Sequence, residues 1–350
     1  MKILVTGTEG YLGSLLAPLL LRLGHDVVGV DTGFYKVGWL YNGPDTEVTA
    51  KTLNKDLMLL TREDLAGVEA VVHMAELSND PTGALAPDIT YQINHQGSVR
   101  LARLAKEAGV SRFVYMSSCS VYGVATGSEV SEESAVNPQT AYAICKTLVE
   151  RDLKAMADDG FSPTFLRNAT AFGASPRMRF DIVLNNLAGW AWTSQEIRMI
   201  SDGTPWRPLV HALDICKAIS CALEAPRELV HRETFNVGDS RQNYQVREIA
   251  EIVAHSFPGC RLSFGDQGSD NRSYRVSFEK INSQLPGFRC EWNAERGAQQ
   301  LHDLFERIDM DRTVFEHRGF TRLKQLEYLL RTKQIDENFY WSNARAEVPA

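Results

Sequence analysis

Residues 2–13 read Lys-Ile-Leu-Val-Thr-Gly-Thr-Glu-Gly-Tyr-Leu-Gly, an apolar strand that runs directly into glycines at positions 7, 10 and 13. That spacing lets the backbone turn sharply and come close to a pyrophosphate, while the helix that follows offers unpaired N–H groups and partial positive charge. The segment predicts a βα unit with a dinucleotide as its ligand. A glycine turn alone also serves plain packing, so the next strand matters. Asp26 to Val30 is again apolar and ends at Asp31, close to the interval of about 20 residues at which a carboxylate accepts hydrogen bonds from an adenosine ribose. A carboxylate there repels a 2′-phosphate, and no Lys or Arg lies between Gly7 and Gly13. NAD is favoured over NADP.

Strand-length apolar runs at Ile3–Thr6, Asp26–Val30, Ala70–Met74, Arg112–Ser117 and Pro163–Leu166 alternate with helical patterns at Gly13–Leu23, Ile89–Ala108 and Thr140–Asp158. Repeated βα units bury both faces of a parallel sheet, so the fold class is α/β, doubly wound. We expect an NAD-binding region over 1–173 and a smaller substrate-binding region over 174–350 that partly returns to the first. Pro18 falls inside the first helix and should bend it. The polar, helical tail from about Asn293 ends in Trp341-Ser342-Asn343-Ala344-Arg345, which reads as frayed.

A net charge of −7 gives no global attraction to nucleic acid or acidic membranes. No apolar run approaches the ~20 residues that cross a bilayer, and strand one begins at residue 2, so a cytoplasmic location is expected. The six cysteines form no metal-ligand spacing and read as free thiols; no metal is expected.

The chemistry lies mid-chain. Ser117-Ser118-Cys119-Ser120 leaves the fourth strand, and Tyr142 and Lys146 stand four apart on one face of the following helix. An ammonium beside a phenol favours the phenolate, so Tyr142 reads as a general base and Ser118 as a hydrogen-bonding partner of the substrate hydroxyl. Tyr-x-x-x-Lys also occurs by chance on amphipathic helices; its conjunction with the glycine turn and Asp31 favours catalysis.

Over roughly residues 1–290 the chain resembles the extended short-chain dehydrogenase/reductases of the nucleotide-sugar epimerase/dehydratase group. The resemblance implies a pyrophosphate site at Gly7, Gly10, Tyr11, Leu12 and Gly13, a ribose acceptor at Asp31 and an adenine site at Asp56 and Leu57. It places Met74 and Ala75 on the cofactor and gives Ser118, Tyr142 and Lys146 the catalytic roles, the last two also holding NAD. For the substrate it implies Ser118, Ser120, Asn185 and Asn186, with Arg207 and Arg272 clamping a diphosphate. Arg177 and Arg179 could meet a sugar carboxylate, although structural or solvated roles are the ordinary expectation. A homodimer is implied through helices around Asn94–Ala108 and Thr140–Asp158, with Leu101, Leu104, Ala141, Leu148 and Leu153 as apolar positions.

Two departures narrow the reaction. The 4,6-dehydratases carry an Asp-Glu pair after the position of Ser118 and the UDP-glucuronate decarboxylases a glutamate at Ser120, where this chain has Cys119 and Ser120. The family asparagine in the segment 166–170 aligns with Thr170, Asn168 lying two residues earlier. The expectation is a NAD-dependent epimerase acting at C4 of a nucleoside-diphosphate sugar. A reductase or dehydrogenase of the same substrates, and a non-catalytic NAD-binding regulator, are the alternatives.

Overall fold

In the computed structural model, residues 1–342 are described except 44, 45, 47, 79, 125–128 and 267–271. Among the described residues the strands are Lys2–Thr6 (β1), Asp26–Asp31 (β2), Lys51–Asn54 (β3), Ala70–His73 (β4), Arg112–Ser118 (β5), Ser162–Asn168 (β6), Thr170–Phe172 (β7), Glu196–Arg198 (β8), Trp206–His211 (β9), Thr234–Val237 (β10), Asn243–Gln245 (β11) and Arg261–Ser263 (β12). Period-two alternation divides the core between the two faces of the main sheet. Ile3, Val5, Val72 and Val114 enter one cluster, while Leu4, Val71, Phe113 and Tyr115 enter the other. Strands buried on both sides require helices over both faces, which is why the pattern is parallel and doubly wound.

Seven strands form that sheet in the order β10-β6-β5-β4-β1-β2-β3, and every pairing in it is parallel. The order reverses between β1 and β4, and ligands of such sheets bind in the crevice opened there, beyond the carboxyl ends of the strands. β10 belongs to the main sheet although it follows residue 173, so the chain does return to its first region. A three-stranded sheet β11-β9-β7 and the pair β12-β8 make up the smaller region.

Two local expectations need revision. The helix expected over Ile89–Ala108 is divided into Pro87–Thr90, a π-helical stretch Tyr91–Gly97, and Ser98–Glu107. Asn94 is fully buried in the wide turn and bonds both backbone groups of Leu77. The first helix continues through buried Pro18 to Arg22. Trp341 and Ser342 are docked rather than frayed: the indole Nε1 donates to the Thr32 carbonyl at 2.7 Å, and the Ser342 N–H donates to the Gln334 carbonyl at 2.9 Å. Asn343 to Arg345 lie outside the described residues.

Among the described residues no helix is long and apolar enough to cross a membrane. Leu101 and Leu153, expected at a dimer surface, are fully buried against the sheet, whereas Leu104, Ala141 and Leu148 are only half-buried.

Candidate active site

The glycine turn is held by close approach. Gly7 has φ +81°, its N–H donates to the Val30 carbonyl at 2.8 Å, and a Cβ on Gly13 would lie 2.1 Å from the Gly7 oxygen. Leu12 precedes the first helix without a side-chain cap, and the first turn carries no acidic residue. This leaves a helix N-terminus suited to an anion. Buried Thr6 sets the opposite lip, its Oγ1 accepting from the Met74 and Ala75 N–H groups, each at 3.1 Å.

At the end of β2, Asp31 accepts from the Glu9 N–H at 2.9 Å and the Gly33 N–H at 2.7 Å. Burial raises its carboxyl above the ordinary value, partly countered by those two N–H groups. Asp56 caps a 3₁₀ turn by accepting from the Met58 N–H at 2.7 Å, and places Leu57 beside it. Gly7, Gly10, Tyr11, Leu12, Gly13, Asp31, Asp56, Leu57, Met74 and Ala75 all line one cavity. The cradle that any Cβ would fill, with a carboxylate one strand away, fits a dinucleotide.

A second cleft adjoins this cavity. Leu12, Met74, Glu76, Ser78, Ala171 and Arg179 line both. Ser118, Ser120, Tyr142, Lys146, Asn186, Arg207 and Arg272 face the second cleft. Ser118 sits at the carboxyl end of β5, where its Oγ accepts from the Ser120 N–H at 3.2 Å. The helix Ala141–Met156 is capped by the Thr140 hydroxyl, which accepts from the Ala143 N–H at 3.2 Å and donates to Asp80 at 2.5 Å. That cap sets the first turn from which Tyr142 projects into the cleft that Ser118 also lines.

Asn185 is corrected by the structure. It is fully buried, its Oδ1 accepting from the Gly173 N–H at 2.9 Å and its Nδ2 donating to the Arg179 carbonyl at 3.0 Å. Neighbouring residues of a helix point about 100° apart, so of the two asparagines only Asn186 reaches the cleft. Arg177 is likewise structural: it pairs with Glu9 at 2.5 Å and lies over the Trp39 ring.

The residue that sequence reasoning missed is Glu76. It is buried, with Lys146 Nζ 2.6 Å from its Oε2, and its Oε1 accepts from the Tyr115 hydroxyl at 2.7 Å. Lys146 also donates to the Met116 carbonyl and lies 5.4 Å from the centre of the Tyr142 ring. Burial raises the Tyr142 hydroxyl above its ordinary value; Lys146 lowers it, while Glu76 and Asp80 raise it again. The net direction for Tyr142 is upward, because burial outweighs the pull of its lysine. A glutamate three residues after a strand carries no local signal; its 70-residue separation from Lys146 hid the pair.

Beneath these groups lies a second buried ion pair. Arg167 donates to Glu150 at 2.9 and 2.7 Å and to the Tyr122 hydroxyl at 3.0 Å, while Ser117 donates to Glu150 at 2.6 Å. It ties β5, β6 and the Tyr142 helix together under Ser118.

The model of the NAD dependent epimerase/dehydratase family matches residues 3–238, and the chain belongs to that family. NAD is its cofactor, and the residues of the first cavity fit it. The UDP-glucose 4-epimerase of Bacillus subtilis strain 168 is 29% identical over 325 residues, covering 86% of this chain and 94% of that protein. The UDP-glucose 4-epimerase of Lactobacillus helveticus is 31% identical over 280 residues, covering 72% and 82%. Among solved structures, MoeE5 in complex with UDP-glucuronic acid and NAD is similar with a TM-score of 0.75 at 26% identity, over 88% of this chain and 99% of that one. The UDP-glucose 4-epimerase of Thermotoga maritima with UDP-glucose shares the fold, with a TM-score of 0.75 at 21% identity over 89% and 100%.

Proposed function

We propose that this chain epimerises a nucleoside-diphosphate hexose at C4. The observation that carries the reading is the meeting of Ser118, Tyr142 and Lys146 in the cleft that adjoins the cofactor cavity. NAD, when bound, supplies a reversible hydride acceptor and a positively charged ring. The protein's part is proton handling. Tyr142 takes the proton of the 4-hydroxyl, Ser118 orients that hydroxyl from the same cleft, and the Lys146 charge favours the phenolate. Returning the proton to the opposite alkoxide gives the epimer.

The remaining carboxylates support epimerisation over dehydration. Glu76, Asp80 and Asp181 face the cleft, but each is ion-paired, to Lys146, Arg272 and Arg179 respectively. None stands after Ser118 as an extra acid. Arg207 and Arg272, joined by a hydrogen bond from the Arg207 guanidinium to the Arg272 carbonyl at 2.5 Å, are the proposed diphosphate clamp. We also propose a homodimer through the helices Ser98–Glu107 and Ala141–Met156.

Incubation with UDP-, dTDP- and GDP-hexoses should yield an epimer without stoichiometric NADH. Appearance of NADH in step with product would replace epimerase with dehydrogenase. Tyr142→Phe should lower kcat by roughly 10²–10⁴ while retaining NAD, and a variant turning over like the parent would remove Tyr142 from the chemistry.

A further inference from the structure

Two buried arginines face the cofactor cavity with donors that the protein does not use. Arg179 is 9% exposed, and its Nε donates to Asp181 at 2.8 Å, but its Nη2 is buried with no hydrogen-bond partner among the described residues. Arg322 opens the C-terminal helix Arg322–Arg331 and is 3% exposed. Its backbone N–H donates to Asp181 at 3.0 Å, and its guanidinium lies 4.0 Å over the Tyr35 ring. Among the described residues that guanidinium has no ion-pair or hydrogen-bond partner. Burial, and then the neighbouring Arg179, push it down to about 10. A buried charge left without a partner is costly, and a bound anion relieves the cost.

Position says which anion. Both arginines line the cavity of the glycine turn. Arg322 lines the cofactor cavity together with Asp31, at the ribose end, and Arg179 lines both that cavity and the cleft of Tyr142, at the catalytic end. The pair thus stands between the two ends, where a dinucleotide carries its two negative charges. We propose that Arg322 and Arg179 form a second clamp on the cofactor's diphosphate, facing the glycine turn.

The C-terminal segment is built to hold Arg322 there. Gln325 donates to the Phe34 carbonyl at 2.9 Å, Trp341 donates to that of Thr32, and Leu326, Leu329 and Phe339 share a small core with Phe34. Part of the cofactor site therefore comes from residues well beyond the 3–238 family match.

The test uses the full chain freed of nucleotide and reads equilibrium binding of NAD, NADP, ADP-ribose, adenosine and UDP-glucose. Arg322→Met should weaken NAD and ADP-ribose roughly ten- to hundredfold, leave adenosine unchanged, and be partly rescued in Arg322→Lys. Arg179→Met, on a separate segment, should give the same contrast even if the Arg322 variant does not fold. Parental affinity for ADP-ribose in these variants would overturn the proposal. So would a loss confined to NADP, which marks a 2′-phosphate site, or one confined to nucleotide sugars, which marks the substrate's diphosphate.

Discussion

Arg167 and Arg322 are both buried guanidinium groups, and the molecule treats them in opposite ways. Around Arg167, burial disfavours the charge, but the two-point contact with Glu150 more than offsets it and holds the group above its ordinary value. Around Arg322 burial is reinforced by the charge of another arginine, and the group falls below its ordinary value. A charge completed from within is architecture; a charge left incomplete beside a cavity points to something that arrives from solution. Lys146 lies between these cases, completed by Glu76 yet placed at the reacting centre.

The sharpest way to break this contrast is Arg167→Met. It leaves Glu150 buried without its partner and should cost about 3–5 kcal/mol of stability. Chemical denaturation would measure it, and a near-neutral result would deny that the pair is structural. Asp31→Ala probes the wall across from Arg322: NAD should bind roughly tenfold or more weakly and the preference over NADP should narrow, read by titrating both cofactors. An unchanged preference would take Asp31 out of the ribose site.

Glu76→Gln tests the intermediate case with the smallest effect. Removing a negative charge that raises the Tyr142 hydroxyl lowers the pH at which the phenolate forms. The acid limb of the kcat–pH profile should move down by on the order of one unit, and a fixed limb would confine Glu76 to packing.

The parts of the site legible in the sequence are those whose partners lie within a few residues. The glycine turn, Tyr142 with Lys146, and Asp31 after its strand each carry a local spacing, and the ten cofactor residues assigned outside the Tyr–Lys pair do share one cavity. Distant partners left no such trace. Arg322 meets Arg179 only because the last helix docks on the loop after β2, and β10 joins β6 across intervening elements. β3 is four residues long with both ends exposed, too short and too open for an apolar run to mark it. Tyr91–Gly97 looks helical in sequence because seven residues do not separate a π turn from an α turn.

The Thr140 cap has a consequence for how the two lobes communicate. Its hydroxyl holds Asp80, and Asp80 holds Arg272 from the far side of the cleft. Only two side-chain contacts thus separate a group reaching toward substrate from the point where the Tyr142 helix starts. Displacement of Arg272 has a direct mechanical route to the phenol that bypasses the sheet, like a short lever pivoting on one carboxylate.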